Sequence, residues 1–179
     1  MAVSRRSLFR KGLLGGLFLA VGGSAGIAVR RTQLGAAPRA PLRLFSREEF
    51  AIFAAVAARI VPGDGAGPRW PRAAALDCAG KADALLARVH PDVGAELRQL
   101  LRLFENGLTG LAWGGRPAPF TTLDPAGQDA RLEAWRTSRI DLMRTGYQAM
   151  ARLAHATYYA SPEVYALVGY PGPPEVPSQ

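Results

Sequence analysis

Residues 91–111 carry the strongest helical pattern in this chain, and their sequence is PDVGAELRQLLRLFENGLTGL. Apolar residues recur there at intervals of three and four, the spacing that places them on one face of an α-helix. Pro91 suits the first turn, where its missing N–H leaves no bond unmade. The stretch predicts a long helix that is broken by the Trp-Gly-Gly-Arg-Pro segment at 113–117. Its predicted core face comprises Val93, Leu97, Leu100, Leu101, Phe104, Leu108 and Leu111.

Two further helices are predicted upstream of this one. Ser46 and Glu49 have the spacing of a capping box, in which each side chain bonds a free backbone N–H at a helix start. The Pro- and Gly-rich loop at 62–72 ends that first helix. A second helix is expected from Ala74 to Val89. The predicted core face of the first helix comprises Phe50, Phe53, Ala57, Ile60 and Val61.

Downstream, Asp124 and Pro125 fit an N-cap followed by a first-turn proline. Helical patterning continues from there to Tyr159, with a break expected near residues 137–138. A short final helix is predicted after Ser161, and the Gly- and Pro-rich segment at 169–174 ends it. The core residues expected in this half are Leu132, Trp135, Ile140, Met143, Tyr147, Met150 and Ala154.

The fold class predicted by these patterns is all-α, because no segment shows the sustained two-residue alternation of a half-buried strand. We expect a single domain of five or six helices at residues 45–173, preceded by an N-terminal signal or anchor helix at 1–31. Residues 32–44 are rich in Ala, Pro and Arg without periodicity, and predict a linker, with order beginning at Ser46. Residues 174–179 predict a loose tail.

The first 31 residues hold six basic and no acidic residues. Ser4 to Lys11 resembles a twin-arginine (Tat) export signal, which a translocase recognises on proteins that cross the bacterial inner membrane already folded. The residues that match the signal are Arg5, Arg6, Leu8, Phe9 and Lys11. We therefore expect export by the Tat route to the periplasmic side of the inner membrane, with a transient contact to the translocase.

The alternative interpretation of this leader is a membrane anchor that stays on the protein. The weakly apolar stretch at 12–29 is about as long as a helix needs to cross a ~30 Å hydrocarbon core. Four basic residues precede it and two follow, which would place the N-terminus in the cytoplasm. An uncut Tat signal would satisfy both interpretations.

The net charge of +8 does not indicate nucleic-acid binding. Outside the leader the chain has 16 basic and 14 acidic residues, and they are scattered and mixed in sign. A nucleic-acid surface would need basic residues clustered on one face. This class of partner is therefore excluded.

The chemically versatile side chains are few. Cys78 is the only cysteine, so we expect a buried thiol, with a disulfide to a partner subunit as the alternative. His90 is expected to cap a helix, and His155 to pack or to lie at an interface. Asp77, Asp83 and Glu105 fall on predicted helices and are expected on solvated faces.

The motifs of common catalytic and cofactor sites are missing from the sequence. It contains no Cys-x-x-Cys-His for c-type haem, no Glu-x-x-His, no Gly-x-Ser-x-Gly, and no Lys-Ser/Thr after the glycines of residues 62–67. We therefore predict no catalytic, cofactor-binding or metal residue in this chain.

Four tyrosines, however, fall within 13 residues near the C-terminus. Tyrosine is favoured at interfaces, where its ring can be buried while its hydroxyl stays wet. Packing of the domain's own last helix is the alternative. The candidate partner interface comprises Tyr158, Tyr159, Tyr165 and Tyr170.

Three blocks of the sequence together resemble the gluconate 2-dehydrogenase subunit 3 family, the small subunits of bacterial membrane-associated flavin dehydrogenases. They are FSREEF at 45–50 through ARIVPGD at 58–64, the stretch 132–144 with Trp135 and Ser138, and YYASPEV at 158–164 followed by GYPGP at 169–173. The resemblance spans about residues 45–173. The loop at 65–72 and Cys78 do not match it.

The resemblance implies a partner rather than a reaction. In such complexes a large flavoprotein of the glucose-methanol-choline type holds FAD and oxidises an alcohol or sugar, and electrons often pass to a cytochrome c subunit. The small subunit carries the export signal for the pair. FAD is accordingly expected in a partner large subunit, and haem c, if present, in a third subunit.

Two rival interpretations remain at this stage. One is an enzyme in its own right, which would show cofactor absorbance in the isolated chain. The other is a free-standing exported binding or assembly protein with no dehydrogenase partner, which would be stable and monodisperse alone.

Overall fold

The computed structural model of this protein describes residues 32–63, 67, 69–107 and 118–174. Within them the fold is all-α, with six α-helices, two 3₁₀ helices and no strand, which confirms the predicted fold class. The leader, with Arg5, Arg6, Leu8, Phe9 and Lys11, lies outside the described residues. The α-helices are α1 (Arg47–Ile60), α2 (Cys78–Leu86), α3 (Pro91–Glu105), α4 (Pro125–Arg136), α5 (Asp141–Tyr159) and α6 (Pro162–Tyr165), and the 3₁₀ helices are Phe120–Thr122 and Ala166–Val168.

Helix α1 lies at the centre of the domain and packs against α2, α3, α4 and α5. Phe53, Val56 and Ala57 on this helix are completely buried. The sequence pattern predicted Phe53 and Ala57 but missed Val56 and its neighbour Ile52, because a helix surrounded by others buries more than one narrow stripe.

The predicted starts of α1, α3 and α4 are confirmed by their hydrogen bonds. The Glu49 N–H donates to Ser46 Oγ at 3.1 Å, and the Ser46 N–H donates to Glu49 Oε2 at 2.8 Å, which completes the capping box. The Gly127 N–H donates to Asp124 Oδ1 at the start of α4. His90 caps α3 by accepting the Asp92 N–H on its Nδ1 atom, as expected from its position before Pro91.

Helix α2 is shorter than the predicted span from Ala74 to Val89. It begins at Cys78 because Asp77 adopts a left-handed backbone with a φ of 52°, so the turn at 73–77 does not continue into the helix.

Two residues were wrongly predicted to lie in the core, since Val93 and Ile140 are 50% and 42% exposed. Leu108, Leu111 and the break at 113–117 lie outside the described residues.

The segment before α1 differs most from its prediction. Residues 33–45, which we call the strap, are non-helical but are bonded to the helical domain, so order does not begin at Ser46. The Gln33 N–H donates to Thr121 Oγ1, and Arg39 Nη2 donates to the carbonyl oxygens of Ala74 and Ala75. Phe45 at the end of the strap is buried in the core.

Asp83 fixes the strap to α2. Its carboxylate accepts the backbone N–H groups of Arg43, Leu44 and Phe45 at 2.7, 2.9 and 2.6 Å. The residue is only 3% exposed, so the prediction that it lies on a solvated face is wrong. A carboxylate is a strong acceptor, and it satisfies three donors that the non-helical backbone leaves without helical partners.

Glu49 is a second buried carboxylate, and it joins α1 to α3. One of its oxygens lies 2.8 Å from Arg98 Nε and the other lies 2.7 Å from Arg102 Nη2. The side chain is 1% exposed. A buried carboxylate needs such partners because its desolvation is otherwise very costly.

We expect Asp83→Asn to destabilise the domain by about 1–3 kcal/mol, because a neutral amide is a weaker acceptor and its NH₂ group would face a backbone donor. The free energy of unfolding from urea denaturation measures this change. Glu96→Gln, on the exposed face of α3, is the matched control and should leave the midpoint unchanged. Equal midpoints for both variants would contradict the anchoring role of Asp83.

Candidate partner-docking surface

The end of α5 separates the two adjacent tyrosines of the candidate interface. Consecutive residues of an α-helix point about 100° apart, so Tyr158 faces the core while Tyr159 faces outwards. Tyr158 is completely buried, and its hydroxyl donates to the carbonyl oxygen of Pro71 at 2.9 Å. Burial raises the pKa of this phenol. Tyr158 therefore belongs to the core, and its assignment to a partner interface is corrected.

Tyr159 is 40% exposed, and its ring packs against two other rings. Its ring centroid is 5.3 Å from that of Tyr158 and 6.0 Å from that of His155, one helical turn earlier. His155 is itself exposed. These contacts hold the exposed ring of Tyr159 in place, so little side-chain entropy remains to be lost on binding a partner.

Ser161 fixes the segment that follows α5. It occupies the N-cap position of α6, as predicted, but its hydroxyl does not cap the helix. The hydroxyl accepts from Lys81 Nζ at 2.6 Å and donates to the carbonyl oxygen of Thr157. Val164, on α6, is completely buried. The short helix is thus positioned by α2 and the core rather than by its own capping.

Tyr165 and Tyr170 form the second aromatic pair, with ring centroids 5.0 Å apart in an edge-to-face arrangement. Gly169 reverses the chain between them with a left-handed φ of 69°, which a side chain would strain. The Tyr170 N–H donates to the carbonyl oxygen of Tyr165 at 2.9 Å. Tyr165 is half-buried, whereas Tyr170 and Val168 are 45% and 47% exposed.

We define the aromatic surface as the exposed Tyr159, Val168 and Tyr170 with the half-buried Tyr165. It retains three of the four tyrosines predicted from the sequence, and it adds Val168, which the sequence did not single out. Exposed aromatic and apolar side chains held by neighbouring rings can bury area against a partner. Their assignment to a partner interface stays a prediction.

A buried polar cluster ties the strap to α3. Glu105 accepts the N–H of Thr121 at 3.0 Å and its hydroxyl at 2.5 Å, and the other side of that hydroxyl accepts the Gln33 N–H. Glu105 is 7% exposed, so the prediction of a solvated face is wrong here as well. Desolvation raises the pKa of Glu105 despite the hydrogen bonds and the nearby charge of Arg131.

Cys78 is buried, as expected, and desolvation raises the pKa of its thiol. It lines a groove of about 630 Å³ between the strap and α1, whose walls include Ala51, Ala54 and Ala74. A disulfide to a partner would require this side chain to leave the core. The remaining polar groups at the groove include Asp77 and Thr121.

The described residues hold no group of three or more His, Cys, Asp or Glu side chains that could bind a metal ion. Within the same ranges, no helix has both the length and the hydropathy needed to cross a membrane.

Comparison with known proteins gives one match. The family described as gluconate 2-dehydrogenase subunit 3 matches residues 47–172, which is well over half of the chain. No curated protein and no solved structure matches the chain.

The raised pKa of Glu105 predicts a pH-dependent contribution to stability. The Glu105 carboxyl binds its proton more tightly in the folded protein than in the unfolded chain. Its contribution to stability is therefore largest below its ordinary pKa of 4.5, and that contribution is lost as the pH rises through the raised pKa of the folded state. We expect the melting temperature of wild type, relative to Glu105→Gln, to fall as the pH rises above about 4.5.

Melting curves of both proteins across this pH range test the prediction. Glu96→Gln serves as the control because Glu96 is exposed. A difference between wild type and Glu105→Gln that is constant with pH, or that grows as pH rises, would contradict the direction of the shift.

Proposed function

Because this chain belongs to the gluconate 2-dehydrogenase subunit 3 family, we propose that it is the non-catalytic small subunit of a periplasmic flavin-dependent dehydrogenase complex. Its partner is a large subunit of the glucose-methanol-choline type, which holds FAD and oxidises an alcohol or sugar. Haem absorbance bands in the purified complex would identify a cytochrome c subunit as its third component. The small subunit exports the large one by the Tat route, stabilises it and associates it with the membrane.

The observation that carries this proposal is the family match at residues 47–172 behind a leader that contains Arg5 and Arg6. Tat export moves folded proteins, so one signal can carry a second, bound chain. A flavoprotein that must bind FAD before export needs such a route if it has no signal of its own.

The polar groups buried in the described domain support an accessory role. Asp83 holds the strap, Glu49 pairs with two arginines, and Glu105 bonds Thr121. Each of these carboxylates has structural partners, whereas a catalytic acid or base would need to face a substrate.

The aromatic surface is the part of the domain that we assign to the large subunit. Tyrosine contributes a large, rigid contact area with few rotatable bonds, and tyrosines are over-represented among residues that dominate binding energy. Tyr159 and Tyr170 combine exposure with ring contacts that hold them in position.

We expect Arg5→Lys together with Arg6→Lys to retain the large subunit in the cytoplasm, because the translocase recognises the arginine pair and not its charge alone. The distribution of flavoprotein between periplasmic and cytoplasmic fractions measures the effect. Arg30→Lys with Arg31→Lys, at the other end of the leader, is the matched control and should leave export intact. Normal export of the flavoprotein in the Arg5/Arg6 variant would refute the escort role.

We expect Tyr159→Ala and Tyr170→Ala each to weaken binding of the large subunit roughly 10- to 100-fold, as for residues that dominate an interface. Titration of the purified flavoprotein with each variant gives the affinity. Ile140→Ala, which removes an exposed apolar side chain at the start of α5, is the control and should bind like wild type. Unchanged affinity in both tyrosine variants would remove the aromatic surface from the interface.

A further inference from the structure

The positive charge of this chain is confined to its first 47 residues, which hold nine basic and no acidic residues. Residues 48–179 hold 13 basic and 14 acidic residues, so their formal charges nearly cancel. Six of the nine basic residues belong to the leader, and the other three, Arg39, Arg43 and Arg47, follow it within 16 residues without an acidic residue between them. A basic segment of this kind is suited to contact with a polyanionic surface.

Three of these basic residues lie on the described domain. Arg39 and Arg43 belong to the strap, and Arg47 begins α1, and all three are exposed. Within the described ranges, none of the three guanidinium groups forms an ion pair with a carboxylate. The acidic residues that follow Arg47 directly in the sequence are the exposed Glu48 and the buried Glu49, which pairs with Arg98 and Arg102. The charge of Arg39, Arg43 and Arg47 is therefore available to an anion outside this chain.

The folded domain holds these arginines in place. The backbone of Arg43 is bonded to the Asp83 carboxylate, and the side chain of Arg39 is bonded to the carbonyl oxygens of Ala74 and Ala75. Arg47 is fixed by the first turn of α1. These contacts distinguish the strap from a free basic tail, since the guanidinium of Arg39 and the backbone of Arg43 and Arg47 are held by the fold without a ligand.

The basic face also contains a shallow depression. Arg39 and Arg47 border a shallow depression of about 570 Å³, whose lining includes Pro41, Leu42 and Phe45. Guanidinium groups bind phosphate oxygens with charge-assisted hydrogen bonds. A phosphodiester between the two arginines would have apolar side chains beneath it, and this combination suits a phospholipid better than an inorganic anion.

We propose that this face, formed by Arg39 and Arg47 at the depression and by the exposed Arg43 that follows Leu42 in the strap, binds the anionic headgroups of a phospholipid bilayer. The sequence order favours a bilayer over an acidic protein surface. The apolar stretch at 12–29 has the length to cross a membrane. Arg31, at the end of the leader, precedes Arg39 by eight residues in the sequence. The inference deepens the membrane association in the proposed function and rests on it.

The test uses the full-length chain reconstituted into vesicles of phosphatidylglycerol and phosphatidylcholine, or of phosphatidylcholine alone. A fluorescent dye is attached to Ala40→Cys, in the strap, or to Ala130→Cys, exposed on α4, while the buried Cys78 stays unlabelled. Lipids that carry a nitroxide on the headgroup quench a dye that lies at the bilayer surface. We expect strong quenching at position 40, only in the presence of phosphatidylglycerol, and little at position 130.

Two double variants, each of which removes two positive charges, complete the test. Arg43→Gln with Arg47→Gln should reduce quenching at position 40 to its level in neutral vesicles, because each arginine near an anionic surface strengthens binding roughly fivefold. Arg139→Gln with Arg152→Gln removes the same charge from exposed positions on other parts of the domain and should have no effect. Added salt should weaken the quenching by screening the charges.

Equal quenching at both labelled positions would overturn the proposal, as would quenching that does not depend on phosphatidylglycerol. Protection of the dye at position 40 by the purified large subunit, without quenching by lipid, would assign this face to a protein instead. The vesicles contain no dehydrogenase, so a negative result would leave the escort role standing.

Discussion

The described domain depends most on the hydrogen bonds between the carboxylate of Asp83 and the backbone of the strap. This carboxylate accepts three consecutive backbone N–H groups of the strap and so fixes where the chain enters α1. Phe45, the last of these residues, is thereby placed in the core directly before the Ser46 capping box. Since α1 packs against α2, α3, α4 and α5, its starting point sets the position of the central helix.

Glu49 and Glu105 meet the cost of burying a carboxylate in different ways. Glu49 has two arginine partners, so its charge is compensated by opposite charge. Glu105 has mainly the neutral hydrogen bonds of Thr121, and desolvation raises its pKa. Neutral donors compensate a buried charge less completely than cations do. The Glu105 cluster, which also fixes the start of the strap, is therefore the junction whose contribution to stability we expect to depend on pH.

The strap links the structural role of these carboxylates to the proposed function. Its inner side provides the backbone N–H groups that Asp83 binds, and its outer side carries the exposed Arg39 and Arg43. The aromatic surface is likewise positioned by the core, because Ser161 is bonded to Lys81 of α2 and Val164 of α6 is completely buried. Both proposed contact surfaces thus consist mainly of exposed side chains on segments that the core positions.

The sequence by itself determined the all-α class, the capped starts of α1, α3 and α4, and the break between α4 and α5, because capping and periodicity depend on residues close together in the chain. Only the tertiary structure decided the burial of Asp83, Glu105 and Tyr158, since their partners lie between 16 and 87 residues away in sequence. An acidic residue on a helix looks the same in sequence whether it meets water or a distant backbone N–H. The ordered strap was missed for the same reason, because its hydrogen bonds are made to other elements and not within itself.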